Sequence, residues 1–163
     1  MKKNLPANSW RKRVQEQLPL LGHRNWIAIV DSAYPWQTAA GIETIATGSS
    51  QLAVAGFVLQ AVSKAAYIRP TLYLDAELAE LREQDIPGID AYRKGLHQLL
   101  RKDEIKALPH ERIISMVDKA ATTFRVLILK STLTLPYTSV FMQLDCGYWS
   151  AAAELRRRRN LGA

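Results

Sequence analysis

The stretch from Leu21 to Pro35, LGHRNWIAIVDSAYP, contains the apolar run WIAIV at positions 26–30. A continuous apolar run of this length is typical of a β-strand that is buried on both faces. His23 precedes the run and Asp31 follows it directly. Because ligands gather outside the carboxyl ends of strands in open parallel sheets, these polar positions are the first candidates for chemistry.

Outward from this run, further strand patterns alternate with helical patterns. The strands are predicted at residues 42–46, 67–74, 104–107, 124–129 and 137–144. The helices are predicted from Ser9 up to Pro19, at 51–64, from Asp75 to Arg82, from Asp90 to Leu100, from Pro109 to Ala121, and from Ser150 into the arginines. Such alternation predicts an α/β fold with a mostly parallel sheet flanked by helices, in a Rossmann-like layered architecture.

Length and composition favour one domain. The chain has 163 residues, of which 48% are hydrophobic, which is enough to fill a single core. We therefore predict one domain over residues 1–163, with a short basic helix at its C-terminal end.

The net charge of +7 is concentrated towards the two ends of the sequence. Lys2, Lys3 and the run 11–13 are basic near the start, and Arg156 to Arg159 are basic near the end. No aromatic interleaving accompanies these runs, so we interpret them as solvated residues, or as cations at a helix C-terminus, rather than as a nucleic-acid patch.

Several classes of protein are disfavoured by what the sequence lacks. Cys146 is the single cysteine, so no internal disulfide can form, which fits a reducing compartment. No apolar run approaches the ~20 residues that span a bilayer, and residues 1–6 lack the apolar segment of a signal peptide. We expect a cytoplasmic protein without a membrane partner.

Motif searches point away from several common enzymes. Neither a P-loop, nor a dinucleotide-binding glycine pattern, nor a G-x-S-x-G elbow occurs, which argues against nucleotide hydrolysis, dinucleotide redox chemistry and the commonest serine hydrolases. The histidines at 23, 97 and 110 form no i, i+3 or i, i+4 pair, so a metal site is possible only by tertiary assembly and we predict none.

His23 and Asp31 each allow two interpretations. At the mouth of a strand His23 could act as an acid or base near neutral pH, or it could be an exposed loop histidine. Asp31 could contact a ligand from the end of a buried strand, or it could form the turn before Ser32.

His110, Tyr137 and Ser139 are the other candidates. His110 follows Pro109 in the first turn of a helix, where the helix dipole favours a neutral imidazole with one donor and one acceptor nitrogen, but a surface histidine fits equally well. Tyr137 and Ser139 are two apart in a predicted strand, roughly 6.5–7 Å, so they could present two hydroxyls to one polar ligand. They could equally belong to the solvent-exposed face of an ordinary amphipathic strand.

Taken together, these segments resemble the ribose pyranase / fucose mutarotase family. Leu21-Gly22-His23 with Asp31 eight residues later, followed by Tyr34-Pro35, is similar to the opening signature of that family. Pro109-His110-Glu111 resembles its second histidine segment, and Pro136-Tyr137-Thr138-Ser139 resembles its Pro-Tyr-x-Asn segment. The match runs over roughly residues 20–145.

The resemblance implies a cofactor-independent isomerase that interconverts anomers or ring forms of a free aldose, either fucose-like or ribose. Members are α/β proteins that assemble into rings, often decamers, in which a neighbouring subunit completes each site. Carried over by position, His23 is the catalytic acid/base, and the sugar-binding residues are Asp31, His110, Tyr137 and Ser139. Tyr34 before Pro35 favours a fucose-like sugar.

Two features leave alternatives open. A fully extended chain would separate His23 from Asp31 by roughly 25 Å, so they share a site only if the backbone turns or a neighbouring subunit supplies one of them. Ser139 stands where the family has asparagine, and Leu133 ends a segment that is Arg-Thr-Gly-Glu in the family. These departures motivate an alternative, a sugar-binding relative without catalytic activity.

Overall fold

The computed structural model describes residues 9–101 and 103–162, so the basic residues Lys2 and Lys3 lie outside the described part. Six strands form one sheet in the order β2-β5-β1-β6-β3-β4. The strands are β1 (Trp26–Val30), β2 (Ile42–Ala46), β3 (Ile68–Asp75), β4 (Ile105–Leu108), β5 (Val126–Lys130) and β6 (Val140–Cys146).

Five α-helices are present in the described residues. They are α1 (Ser9–Gln17), α2 (Gln51–Ser63), α3 (Ile89–Leu100), α4 (His110–Ala121) and α5 (Ala151–Asn160). Two 3-10 segments, Leu18–Leu20 and Ala76–Glu80, connect regular elements. Each of the described helices is too short or too polar to cross a membrane.

The predicted α/β class is confirmed, with one strand reversed. β1 pairs parallel to β5, β5 pairs parallel to β2, and β3 pairs parallel to β4. β6 lies between β1 and β3 and runs antiparallel to both of them. Five strands therefore share one direction, and only β6 begins where the others end. We call the end of the sheet where those five strands finish its carboxyl end, and the opposite one its amino end.

The core has two layers because the sheet is covered on both faces. Ile27 and Ile29 point into the layer packed by α1, α2 and α3, whereas Trp26, Ala28 and Val30 point into the layer packed by α4. All five residues of β1 are at most 2% exposed, which confirms the doubly buried strand expected from the apolar run.

The helix predicted from Asp75 to Arg82 is wrong. Residues 76–80 form a 3-10 segment, and the side chain of Asp75 makes no capping hydrogen bond to it. The prediction failed because an aspartate before a polar stretch is a local capping signal, whereas the carboxylate is engaged by a residue 35 positions later.

The cap predicted at Asp90 is also wrong. The helix begins at Ile89, and Gly88 occupies the capping position with φ of 97°. The carboxylate of Glu83 accepts hydrogen bonds from the backbone N–H groups of Gly88 at 2.7 Å and Asp90 at 2.9 Å. A preceding glutamate therefore satisfies the donors that a capping aspartate would have taken.

The strand predicted from Tyr137 to Leu144 starts three residues later than expected. β6 begins at Val140, and Tyr137 has a φ of 55° in the left-handed region, which a strand residue does not adopt. Tyr137 and Ser139 therefore do not project side by side from one strand face, and the spacing argued from strand geometry does not apply to them.

Candidate functional site

The reversed direction of β6 brings two predicted site residues, Asp31 and Ser139, together at the carboxyl end of the sheet. Val140, the first residue of β6, pairs with Ile29 near the end of β1 and with Leu74 near the end of β3. Asp31 follows β1, and Ser139 precedes β6. The start of β6 and the ends of β1 and β3 therefore lie side by side at the carboxyl end of the sheet.

A buried carboxylate orients His110 at this end. Nδ1 of His110 lies 3.0 Å from Oδ2 of Asp75, whose side chain is fully buried. The backbone N–H of His110, at the start of α4, donates to the carboxylate of Glu77 at 3.0 and 3.1 Å. With Nδ1 as the donor to Asp75, Nε2 is left as the acceptor nitrogen of the neutral ring.

Asp75 is a site residue that sequence reasoning missed. Burial raises the pKa of its carboxyl group, and the neighbouring His110 opposes that rise. Its second oxygen, Oδ1, is buried without a hydrogen-bond partner in the described residues. The one local signal was an aspartate at the end of a strand, the same signal that singled out Asp31.

Tyr137 faces His110 across this end of the sheet. The two rings meet edge to face with their centroids 5.6 Å apart, and Tyr137 is 41% exposed. Ser139 is buried, with only 4% of its surface exposed. Tyr137 is therefore presented to solvent beside the histidine, while Ser139 lies beneath the surface.

A buried hydrogen-bond network holds the segment that carries Tyr137. The carbonyl of Thr138 accepts from the hydroxyl of Tyr92 at 2.6 Å and also from Nε2 of Gln51. Oε1 of Gln51 accepts from the hydroxyl of Ser131 at 2.8 Å. Helices α2 and α3 thus hold the backbone next to Tyr137 through the side chains of Gln51 and Tyr92. These two polar groups were not identified from the sequence.

The side chain of Asp31 stabilises the turn that follows β1, which was one of the two interpretations of this residue. Its Oδ1 accepts from the backbone N–H groups of Ala33 at 3.1 Å and Tyr34 at 2.9 Å. The carboxylate is near enough to Asp75 to contribute to the raised pKa of that group. Tyr34 is buried, and its hydroxyl donates to Oε1 of Gln37 at 3.3 Å. The preference for a fucose-like sugar, which was inferred from Tyr34, stays a prediction.

His23 lies at the opposite, amino end of the sheet, so within one chain it does not join the other candidates. Seven residues separate it from Asp31, and the five of them that form β1 alone span about 16 Å of extended backbone. Of the two alternatives left open by the sequence, a backbone turn that brings His23 to Asp31 within one chain is not observed, and a site completed by a neighbouring subunit stays a prediction. The physical reason is that the extended residues of β1 lie between them.

A second carboxylate, Asp145, orients His23. Nδ1 of His23 lies 2.7 Å from Oδ1 of Asp145, near the far end of β6, and the ring is more than half exposed. Arg24 donates from Nε to Nε2 of His23 at 3.3 Å. Asp145 also accepts from Arg69 at 3.2 Å.

Partial burial works to raise the pKa of Asp145, but hydrogen bonds from the backbone of Cys146 and from Arg69 and His23 together hold it below its usual range. This carboxylate is therefore charged at neutral pH. No local pattern predicts this pair, because Asp145 is distant from His23 along the chain.

The chain thus carries two histidine–aspartate pairs, one at each end of β6. A cavity of about 410 Å³ at the carboxyl end is lined by Glu77, Glu80, Pro109 and Tyr137, among others. A cavity of about 590 Å³ at the amino end includes His23 and Asp145 in its wall. In the described part of the chain, no group of three His, Cys, Asp or Glu side chains is placed to hold a metal ion.

Comparison with solved structures identifies the architecture. Bacillus subtilis RbsD complexed with D-ribose aligns with a TM-score of 0.61 and 20% identity, over 92% of this chain and 100% of that one. The fucose mutarotase from Streptococcus pneumoniae in complex with L-fucose aligns with a TM-score of 0.59 and 16% identity, over 89% of this chain and 98% of that one. This chain has the fold of RbsD and of that fucose mutarotase.

A third solved structure, of protein Atu2016, aligns with a TM-score of 0.52 and 17% identity, over 89% of this chain and 95% of that one. No protein-family model matches the sequence, and no curated protein matches it. The fold expected from the sequence motifs is confirmed, because both RbsD and the fucose mutarotase span nearly the whole chain.

Proposed function

We propose that this protein is a cofactor-independent isomerase that interconverts the anomers or ring forms of a free aldose. The observation that carries the proposal is the pair of histidine–aspartate couples, each with Nδ1 of the histidine against a carboxylate oxygen. Its support is the fold shared with two proteins solved with monosaccharides, D-ribose in one and L-fucose in the other.

The reaction needs a base and an acid, and the two couples offer both. Ring opening removes the proton of the anomeric hydroxyl and delivers a proton to the ring oxygen as the C–O bond breaks. The open-chain aldehyde rotates and recloses by the reverse steps, so no net proton is consumed. A group that titrates near neutrality suits both transfers, and such catalysis contributes typically about 10²–10⁴-fold.

We assign the catalytic acid/base role to His23 and the sugar-binding role to Asp31, His110, Tyr137 and Ser139. Since His23 lies at the amino end of its own sheet, the proposed site pairs the carboxyl end of one copy with the amino end of a neighbouring copy. The sugar would lie between the imidazole of His23 from one copy and Nε2 of His110 from the other. A closed homo-oligomer, a ring or a decamer, satisfies this geometry for every copy.

Saturation-transfer NMR of sugar exchange tests the function directly. We expect acceleration for at least one of ribose, fucose and galactose, and a loss of about 10²-fold or more in His23→Ala and in His110→Ala. No acceleration with any of these aldoses, or full activity in His23→Ala, would refute the proposal.

Mixing variants tests whether the site is shared between copies. When His23→Ala and His110→Ala are unfolded and refolded together, random pairing leaves about a quarter of the sites with both histidines, and activity should return to that extent. The control mixes His110→Ala with Asp31→Asn. Both changes are at the carboxyl end, so no site regains both residues and activity should stay low.

The alternative is a sugar-binding relative without turnover, and the burial of Ser139 favours it. A serine that is only 4% exposed offers a sugar little of its hydroxyl. This alternative expects thermal stabilisation by a monosaccharide without any acceleration of exchange. Stabilisation together with acceleration would exclude it.

A further inference from the structure

The cavity beside His23 is built partly by helix α5, which packs no buried residue of its own into the core. Its volume of about 590 Å³ falls within the range of about 300–1,000 Å³ that is typical of small-molecule sites. The wall combines a histidine, an aromatic ring and charged groups; these are His23, Arg24, Asp145, Trp149, Glu154 and Arg158.

The carboxylates in this wall are already neutralised. Asp145 accepts from His23 and Arg69, as described above. Glu154 accepts from Nε1 of Trp149 at 2.9 Å, and it pairs with Arg157 at 2.7 Å and with Arg158 at 3.0 Å. Neither carboxylate is an unpaired charge that would repel an anion from the cavity.

Two arginines in the wall keep donors available. Arg24 pairs with no carboxylate in residues 9–101 and 103–162; its contacts are Nε2 of His23 and the face of Phe124, 5.7 Å from its ring centroid. Arg158 hydrogen-bonds Glu154 through Nε alone, and its side chain is 63% exposed. Both guanidinium groups therefore have terminal N–H donors to offer to a ligand.

The backbone holds Arg24 in an unusual conformation. Its φ is 74°, and Tyr137 is the one other non-glycine residue with a positive φ in the described part of the chain. The backbone N–H of Arg24 donates to Leu144 at 2.9 Å, which fixes this turn against β6. Left-handed non-glycine residues cost free energy, and they concentrate at functional positions.

We propose that Arg24 and Arg158 form a subsite for an anionic substituent, a phosphate or a carboxylate, on the sugar. This inference rests on the proposed function and narrows its substrate to an anionic aldose. A guanidinium presents paired N–H donors that match both anions, and such charged hydrogen bonds are among the strong ones. The reacting carbon would then lie towards His23, and the charged end would lie towards α5.

Matched sugars test the proposal. The exchange rates of D-galactose, D-galacturonate and D-galactose 6-phosphate are compared by saturation-transfer NMR, and their binding is compared by thermal shift. We expect kcat/KM to be about tenfold or more higher for an anionic member, the gain from one additional charged hydrogen bond. Comparing D-galacturonate with D-galactose 6-phosphate shows whether the subsite binds a carboxylate or a phosphate.

Two arginine variants and one control locate the subsite. Arg24→Gln and Arg158→Gln should lower the ratio of anionic to neutral kcat/KM by about tenfold, mainly through KM. Arg156→Gln is the control, because Arg156 is exposed on the same helix but is not part of the cavity wall. It should leave that ratio unchanged.

The outcomes separate this inference from the proposed function. The anion subsite is overturned if the neutral sugar exchanges as fast as the anionic sugars or faster. It is also overturned if Arg158→Gln and Arg156→Gln give the same ratio of anionic to neutral kcat/KM. Either result leaves the isomerase proposal standing. No exchange of any sugar, with thermal stabilisation by the anionic sugars that is lost in Arg158→Gln, overturns the isomerase and retains the subsite.

Discussion

His23 and His110 are each oriented through Nδ1 by an aspartate, but the two aspartates differ in their surroundings. Asp75 is completely buried, whereas the side chain of Asp145 is 43% exposed and also contacts Arg69. Burial raises the pKa of the first carboxyl group, while hydrogen bonds lower the pKa of the second. The two histidines therefore have unlike partners, a buried carboxyl group in one couple and a partly exposed carboxylate in the other.

The raised pKa of Asp75 predicts how stability changes with pH. A carboxyl group whose pKa is higher in the folded state than the ordinary value of 3.8 stabilises the fold at low pH, and this contribution is lost as the pH rises through the folded pKa. Asp75→Asn cannot ionise, so its free energy of unfolding relative to wild type should rise as the pH increases above the ordinary carboxyl pKa of 3.8. Urea unfolding at a series of pH values measures this difference.

Asp145→Asn is the matched control with the opposite sign. The pKa of Asp145 is lowered in the folded state, so its contribution is present above the unfolded pKa and is lost as the pH falls through the folded pKa. This variant should be less stable than wild type at neutral pH and should approach it in acid. The same pH dependence in both variants would contradict the assignment of the two carboxylates.

At the scale of elements, α2 supports the site through its first residue. Gln51 is 1% exposed and links Ser131 to the carbonyl of Thr138, two segments of the loop that enters β6. Side-chain groups buried in this way are costly when one partner is removed, because the remaining donor or acceptor stays desolvated. The position of Tyr137 therefore depends on a helix that carries none of the proposed sugar-binding residues.

Gln51→Met should destabilise the protein and weaken the site together. We expect a loss of about 2–3 kcal/mol in the free energy of unfolding, from the unsatisfied groups that it leaves. The control is Gln60→Met on the same helix, where the side chain is exposed and the loss should be within about 0.5 kcal/mol. Urea unfolding measures both, and equal losses would contradict the role of the network.

The elements also show where sequence reasoning succeeds. The bounds of β1 and β2 were predicted correctly, and for β1 the signal was local, a short apolar run between turn residues. Ser150 caps α5 as expected, accepting from the backbone N–H of Ala153 at 3.0 Å. The direction of β6 was not predicted, since strand pairing is a long-range property that a single strand does not encode.

Local signals also identified part of the candidate site. Asp31 and His110 were singled out by their places at the end of a strand and the start of a helix, and both lie at the carboxyl end. Asp75 and Asp145 were missed because their partners are 35 and 122 positions away. Pairings over such separations are decided by topology and not by local pattern.

At the scale of the whole molecule, the two histidine couples make the proposed activity depend on contact between copies. Exchange activity per chain should fall on dilution, at the protein concentration where light scattering shows dissociation. The same chain joined to a second copy by a flexible linker should hold its activity to lower concentration, because the linker raises the effective concentration of the neighbour. Activity per chain that stays constant through dissociation would contradict the shared site.

β6 fixes the distance between the two centres of one chain. Tyr137 and Ser139 enter it, Asp145 lies near its exit, and its seven residues span roughly 24 Å at about 3.4 Å each. The strand therefore serves as a molecular ruler. A single inserted or deleted residue within it would displace one centre relative to the other and turn the side chains beyond that point to the opposite face of the sheet.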